Sequence, residues 1–170
     1  MKRFLFLTIL MVFAGTVMAQ KYAYVDSEYI LKNIPAFVSA ESTLEKLSKQ
    51  YQTTLENMYS EVEKMYNSYQ SEAARLSAEA KRSREDAIIA KEKACKEQQQ
   101  KYFGPDGELD KRREALMKPI RDQIDNAIKQ MALAGGYAVI FDKAAGDNMI
   151  YTNPQFDLSD QVLKQLGYKN

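Results

Sequence analysis

The chain has 170 residues, 24 basic and 23 acidic, with no His, no Trp and a single Cys. So even a balance disfavours a uniformly basic nucleic-acid binder, and the missing His removes zinc sites, His-based acid–base pairs and Ser-His-Asp triads. One cysteine gives no disulfide framework, and Cys95 reads as a small buried apolar residue on a helix rather than a reactive thiol.

Residues 1–19 read as a cleavable secretory signal: Lys2 and Arg3 lead an apolar stretch, and Val17-Met18-Ala19 supplies small residues before Gln20. The apolar core is short for a bilayer-spanning helix, which needs about 20 residues. The mature chain is thus expected to start at Gln20, outside the cytoplasm, with 22 basic residues against 23 acidic once Lys2 and Arg3 are removed.

Tyr22-Ala23-Tyr24-Val25 is a short aromatic and β-branched run that hands over at Asp26-Ser27-Glu28 to a brief helix stopped by Pro35. From 36 to 103 the chain then runs 68 residues with no Gly and no Pro. As one straight helix it would reach about 100 Å, more than a compact domain of this size can cover, so it projects or folds back. In its first half, Leu44, Leu47, Tyr51, Leu55, Met58, Val62, Met65 and Tyr69 recur at alternating steps of three and four, the period of a coiled-coil seam.

The obvious breaker is Gly104-Pro105-Asp106-Gly107, but a turn there would strand much of the first arm without a partner. A tip near 73–80 gives arms of matching length, 36–75 and 78–117. The 104–107 segment then becomes a break and flexing point within the return arm, and Pro119 marks re-entry into the body. Charge is uneven along this hairpin: residues 39–72 carry a balance of minus three, and 73–101 a balance of plus three. The tip is therefore basic, and Arg75, Lys81, Arg82 and Arg84 are its candidate contacts for acidic polypeptide segments or anionic lipid, at about 1 kcal/mol per residue near a charged membrane surface. Tyr59 and Tyr66 stand beside the seam rather than in it and are candidates for lining a cavity.

A helix with an apolar face begins at Ile120 and closes at Gly135-Gly136. Tyr137-Ala138-Val139-Ile140-Phe141 reads as a strand buried on both faces, and Met149-Ile150-Tyr151-Thr152 as its hairpin partner across a loop at 142–148. A last helix follows, capped by Asp157 or Ser159 and stopped by Gly167. The strands at the two chain ends are expected to share one sheet, making the long helices an insertion between strands one and two. About 150 mature residues with so much sequence in a projecting element leave one modest core, for which oligomerisation is the usual remedy.

The opening Tyr24-Val25-Asp26-Ser27-Glu28 with Ile30-Leu31, the long helical hairpin, the strand Tyr137-Ala138-Val139-Ile140-Phe141-Asp142 and the ending Asp157-Leu158-Ser159-Asp160-Gln161-Val162-Leu163-Lys164-Gln165-Leu166 resemble the Skp/OmpH family of periplasmic chaperones. That resemblance implies an α+β fold: a small β-rich trimerisation body (20–35 and 119–170) and a long antiparallel coiled-coil hairpin, or tentacle (36–118). Tyr24, Val25, Val139, Ile140, Phe141 and Ile150 would belong to the oligomerisation body. The implied partners are unfolded outer-membrane β-barrel proteins, held in a cavity between tentacles, and the chain itself as a homotrimer. Two features depart from the family: its tentacles are often strongly basic, and the Gly104-Pro105-Asp106-Gly107 interruption is absent from its best-known members.

No GxxxxGK[ST] loop is present, so nothing supports ATP-driven cycling, and no cofactor, catalytic residue or metal ligand is expected. Asp157 and Asp160 read as helix caps, not as a catalytic pair. The expected activity is that of an ATP-independent holdase in the periplasm. The competing expectation is a structural coiled-coil scaffold of the periplasm, which predicts a filled, rod-like bundle that ignores unfolded clients.

Overall fold

The computed structural model describes residues 20–146 and 149–168. The signal-like segment and part of the 142–148 loop lie outside them. The elements in chain order are strand β1 (Lys21–Val25), helix α1 (Ser27–Lys32), helix α2 (Pro35–Glu72), a 3-10 turn (Ala73–Arg75), helix α3 (Ala78–Phe103), helix α4 (Glu108–Gly135), strand β2 (Tyr137–Asp142), a second 3-10 turn (Pro154–Phe156) and helix α5 (Ser159–Gln165). They divide into two compact units: Lys32–Asp122, and the two chain ends up to Leu31 and from Gln123.

In the unit formed by the chain ends, β1 and β2 pair in parallel, with Tyr22 opposite Val139, Ala23 opposite Ile140 and Tyr24 opposite Phe141. A parallel pair cannot be closed by a tight turn and needs a crossover, and here helices α1 to α4 all lie between its strands in the chain. Ala23, Tyr24, Val25, Ile30, Ile124, Ala127, Leu158, Val162 and Leu163 are its buried apolar residues. The amide of Leu158 donates to Tyr24 O at 2.9 Å, drawing the final segment against β1. Helix α5 then starts with the Asp157 carboxylate accepting from the Ser159 amide at 2.9 Å. It ends with Gly167 at φ 82°, and the amides of Gly167 and Tyr168 donate back to Lys164 O and Leu163 O, a Schellman closure that only a left-handed residue permits.

Two expectations for this unit are corrected. Residues 149–152 form no strand, so there is no hairpin with β2. The reason is the strand's exit: Lys143 N donates to Val25 O at 2.8 Å, and Ala144 N donates to the Asp142 carboxylate at 3.0 Å, so the chain is tied to the end of β1 and turned away. Nor is β2 buried on both faces. Val139 and Phe141 are 42% and 49% exposed, because one chain supplies β2 with a single neighbouring strand and too little to cover its faces.

The other unit is built on α2 and α3. Pro35 sits in the first turn of α2, where its missing N–H costs nothing. The 38 residues of α2 span about 57 Å at 1.5 Å per residue. The chain reverses after Glu72 through the 3-10 turn and the extended Leu76, and Ser77 Oγ accepts from the Ala80 amide at 3.3 Å to start α3. All eight seam positions of α2 are buried or half-buried. Val62 meets Ile88 and the fully buried Cys95 of α3, with Met58, Met65 and Tyr69 packed around them.

The 104–107 segment ends α3 and precedes α4. Gly107 N donates to Gly104 O at 2.9 Å, and Pro105 followed by Asp106 at φ 56° gives the pattern of a type II turn. There is no room for a side chain at Gly107, where a Cβ would meet the carbonyl oxygens of Gly104, Tyr102 and Lys101 at 2.8, 2.9 and 3.1 Å. Helix α4 continues through Pro119 rather than starting afresh at Ile120. Gly136, at φ 66°, then turns the chain into β2.

Candidate functional site

Three surfaces carry the residues singled out by the sequence. The first is the turn between α2 and α3. Arg84 lies 3.3 Å from Glu72 across it and is thereby partly neutralised. Arg75, Lys81 and Arg82 form no ion pair among the described residues, although Glu79 lies among them in the chain. Below it the two helices are tied by Lys91 to Glu61 at 2.5 Å, a contact that raises the lysine pKa and lowers that of the glutamate. The Tyr69 hydroxyl donates to Glu85, which raises the tyrosine pKa.

The second surface is the exposed side of the same helix pair. Tyr59 hydrogen-bonds Gln99 at 3.1 Å and lines an open groove of about 600 Å³ with Gln52, Leu55, Glu63 and Phe103. Tyr66 is 50% exposed, and the structure does not bring it into that groove. The groove pairs aromatic rings with amide and carboxylate groups, a lining suited to weak, exchangeable contact with many sequences.

The third surface belongs to the sheet. A groove of about 710 Å³ is lined by Tyr22, Tyr24, Phe141, Tyr151 and Phe156, among others. Tyr24 and Val25 are buried, Ile140 is half-buried, and Val139 and Phe141 stand in the open. Ile150, expected within a strand, is fully exposed. So much exposed apolar and aromatic surface around a two-stranded sheet makes it a candidate interaction face.

A fourth cluster was not read from the sequence. Tyr51 of α2 stacks on Tyr102 of α3, with ring centroids 3.8 Å apart and planes 7° from parallel. Phe103 stands edge-on to both rings. The Tyr51 hydroxyl donates to Glu108 Oε2 at 2.9 Å, and Lys101 lies 3.3 Å from Glu108 Oε1. Burial, followed by the bond to Glu108, raises the Tyr51 pKa. That same bond is the main cause holding Glu108 below the usual carboxylate range. The signal available was the Tyr102-Phe103 pair abutting the glycine break, but nothing local tied it to Tyr51.

Among the described residues no group of His, Cys, Asp and Glu could hold a metal ion, and no helix is long and apolar enough to cross a membrane.

Comparison with known proteins places these surfaces in context. A family model described as outer membrane protein (OmpH-like) matches residues 21–166. The chaperone protein Skp of Yersinia enterocolitica is 26% identical over 155 residues, covering 90% of each chain. A crystal structure described as an outer membrane chaperone (OmpH-like) from Caulobacter crescentus CB15 superposes with a TM-score of 0.69 at 14% identity. That match covers 89% of this chain and 86% of the other, and it establishes likeness of fold.

Proposed function

The chain belongs to the OmpH-like outer membrane protein family, a family of chaperones, and on that premise we propose that it is an ATP-independent periplasmic holdase for unfolded outer-membrane β-barrel proteins. In this reading residues 1–19 are removed on export, 20–35 and 119–170 form a trimerisation body, and 36–118 form the tentacle inserted between strands one and two. Three tentacles enclose the client. Many weak contacts from several arms raise the effective concentration of binding groups, so the total grip is firm while each contact stays exchangeable. Release follows when folding at the outer membrane offers a more favourable state.

The observation that supports this reading best is the pairing of an aromatic, amide-lined groove on the helix pair with an uncovered apolar sheet face. The sheet face fits copies of the same chain through the exposed Val139, Phe141 and Ile150, with the buried Tyr24 and Val25 and the half-buried Ile140 belonging to the body that carries it. Tyr59 and Tyr66 then serve clients, while Arg75, Lys81, Arg82 and Arg84 meet acidic segments or anionic lipid at the tip.

Native mass spectrometry of the mature chain, alone and with a urea-unfolded outer-membrane β-barrel protein, tests it. A trimer that takes up one client without ATP supports the proposal. A species that ignores the client, and does not keep it soluble on dilution, leaves the periplasmic scaffold as the better reading.

A further inference from the structure

The 104–107 break is bracketed by one side chain from the opposite helix. The Tyr51 ring lies on Tyr102, in the last turn of α3, while its hydroxyl holds Glu108, the first residue of α4. A single residue of α2 therefore touches both flanks of the interruption. Lys101 adds a second link between the flanks, through the other oxygen of the same carboxylate. We infer that Tyr51 is a positioning residue, a two-point staple that fixes the angle between α3 and α4, so that the break is a held elbow and not a free hinge.

The turn itself cannot do this alone. Its hydrogen bonds from Gly104 to Gln100 and from Gly107 to Gly104 define the local path of four residues. They do not fix the two helices against a third. Stapling supplies that fixed point, and Phe103 links it to the groove: its ring stands edge-on to Tyr51 and Tyr102 and also forms part of the groove wall. The angle of the break and the shape of that wall are thus one structural variable, whatever occupies the groove.

Hydrogen–deuterium exchange on the purified chain tests the staple, with melting temperature as a check on folding. Tyr51→Leu keeps an apolar residue in the seam but loses both contacts, and is expected to speed exchange of the 100–112 amides on the order of tenfold, with 56–70 unchanged. Tyr51→Phe keeps the stack and loses the hydroxyl, and roughly a threefold rise is expected. In a double-mutant cycle Tyr51→Phe adds nothing further once Glu108→Ala is present. The proposal fails if Tyr51→Leu leaves 100–112 unchanged, if exchange rises equally along both arms, or if the two single changes are additive.

Discussion

The backbone amide of Asp26 donates to the hydroxyl of Ser159 at 2.8 Å, joining the end of β1 to the start of the last helix across 133 residues. Ser159 is itself 3% exposed, and its hydroxyl donates a hydrogen bond to the Asp157 carboxylate at 2.5 Å, so both bonds of the hydroxyl are part-buried. Removing the hydroxyl leaves the part-buried Asp26 amide without its acceptor and takes one of two donors from the Asp157 carboxylate, which keeps the Ser159 amide. Ser159→Ala is therefore expected to cost about 1–3 kcal/mol, read from chemical denaturation. Ser159→Thr, which keeps the oxygen, loses less.

Adjacent isoleucines in α3 give an internal control for the packing between the helices. Ile88 is 8% exposed against Val62 and Cys95, whereas Ile89 is 61% exposed. Ile88→Ala is expected to destabilise by about 2–5 kcal/mol, and Ile89→Ala by no more than about 0.5 kcal/mol. Comparable losses at both positions would contradict the burial described here.

The helix pair is expected to lose stability in acid. Lys91 lowers the pKa of Glu61, and Tyr51 that of Glu108, so each carboxylate has a folded pKa below its unfolded one. Their stabilisation is present above the unfolded pKa and is lost as pH falls through the folded one. Tyr51 is shifted upward, and its share is lost only when the pH rises through its own folded pKa, on the alkaline side. The melting temperature should be level through neutral pH and fall in acid. Glu61→Gln combined with Glu108→Gln should flatten that acid limb.

The uncovered sheet face predicts a separation of folding from assembly. Phe141→Lys with Ile150→Lys places charge on side chains that are 49% and fully exposed in one chain, so secondary structure should survive. If this face joins copies of the chain, the oligomer seen by native mass spectrometry should shift toward the monomer. An unchanged oligomer would place the interface elsewhere.

Charge reversal at the turn tests the proposed tip. Arg75→Glu, Lys81→Glu and Arg82→Glu replace cations that have no ion-pair partner among the described residues, so stability should stay within about 0.5 kcal/mol. Binding to vesicles containing anionic lipid should fall and lose its salt dependence. Binding that is unaffected by the triple change would remove lipid from the partners proposed for this surface.

What could be read in advance divides by range. The seam from Leu44 to Tyr69 was legible because eight residues repeat one local period, and all eight lie against neighbours. The helix ends at 103 and 135 were legible from glycines that follow them. That the strands at the two chain ends share a sheet was expected, but their direct parallel pairing was not, since a parallel strand drawn from the other end of the chain leaves no turn signal beside β2. Val139 and Phe141 misled for another reason: an apolar run says that a surface must be covered, not whether its own chain covers it. Tyr51 was placed in the seam, yet its bond to Glu108, 57 residues away, has no trace in either local sequence.

The parallel pairing of β1 with β2 also governs the order of events when the chain folds. Helices α2 and α3 are close in sequence and need only a short loop closure to meet, so their contacts are entropically inexpensive and early. β1 is made long before Tyr137–Asp142 and must wait for it before it has a strand to pair with, and for Leu158 before Tyr24 O has its donor. The first strand made is thus among the last to be satisfied, and a nascent chain shorter than about 140 residues carries an unpaired aromatic edge throughout its synthesis.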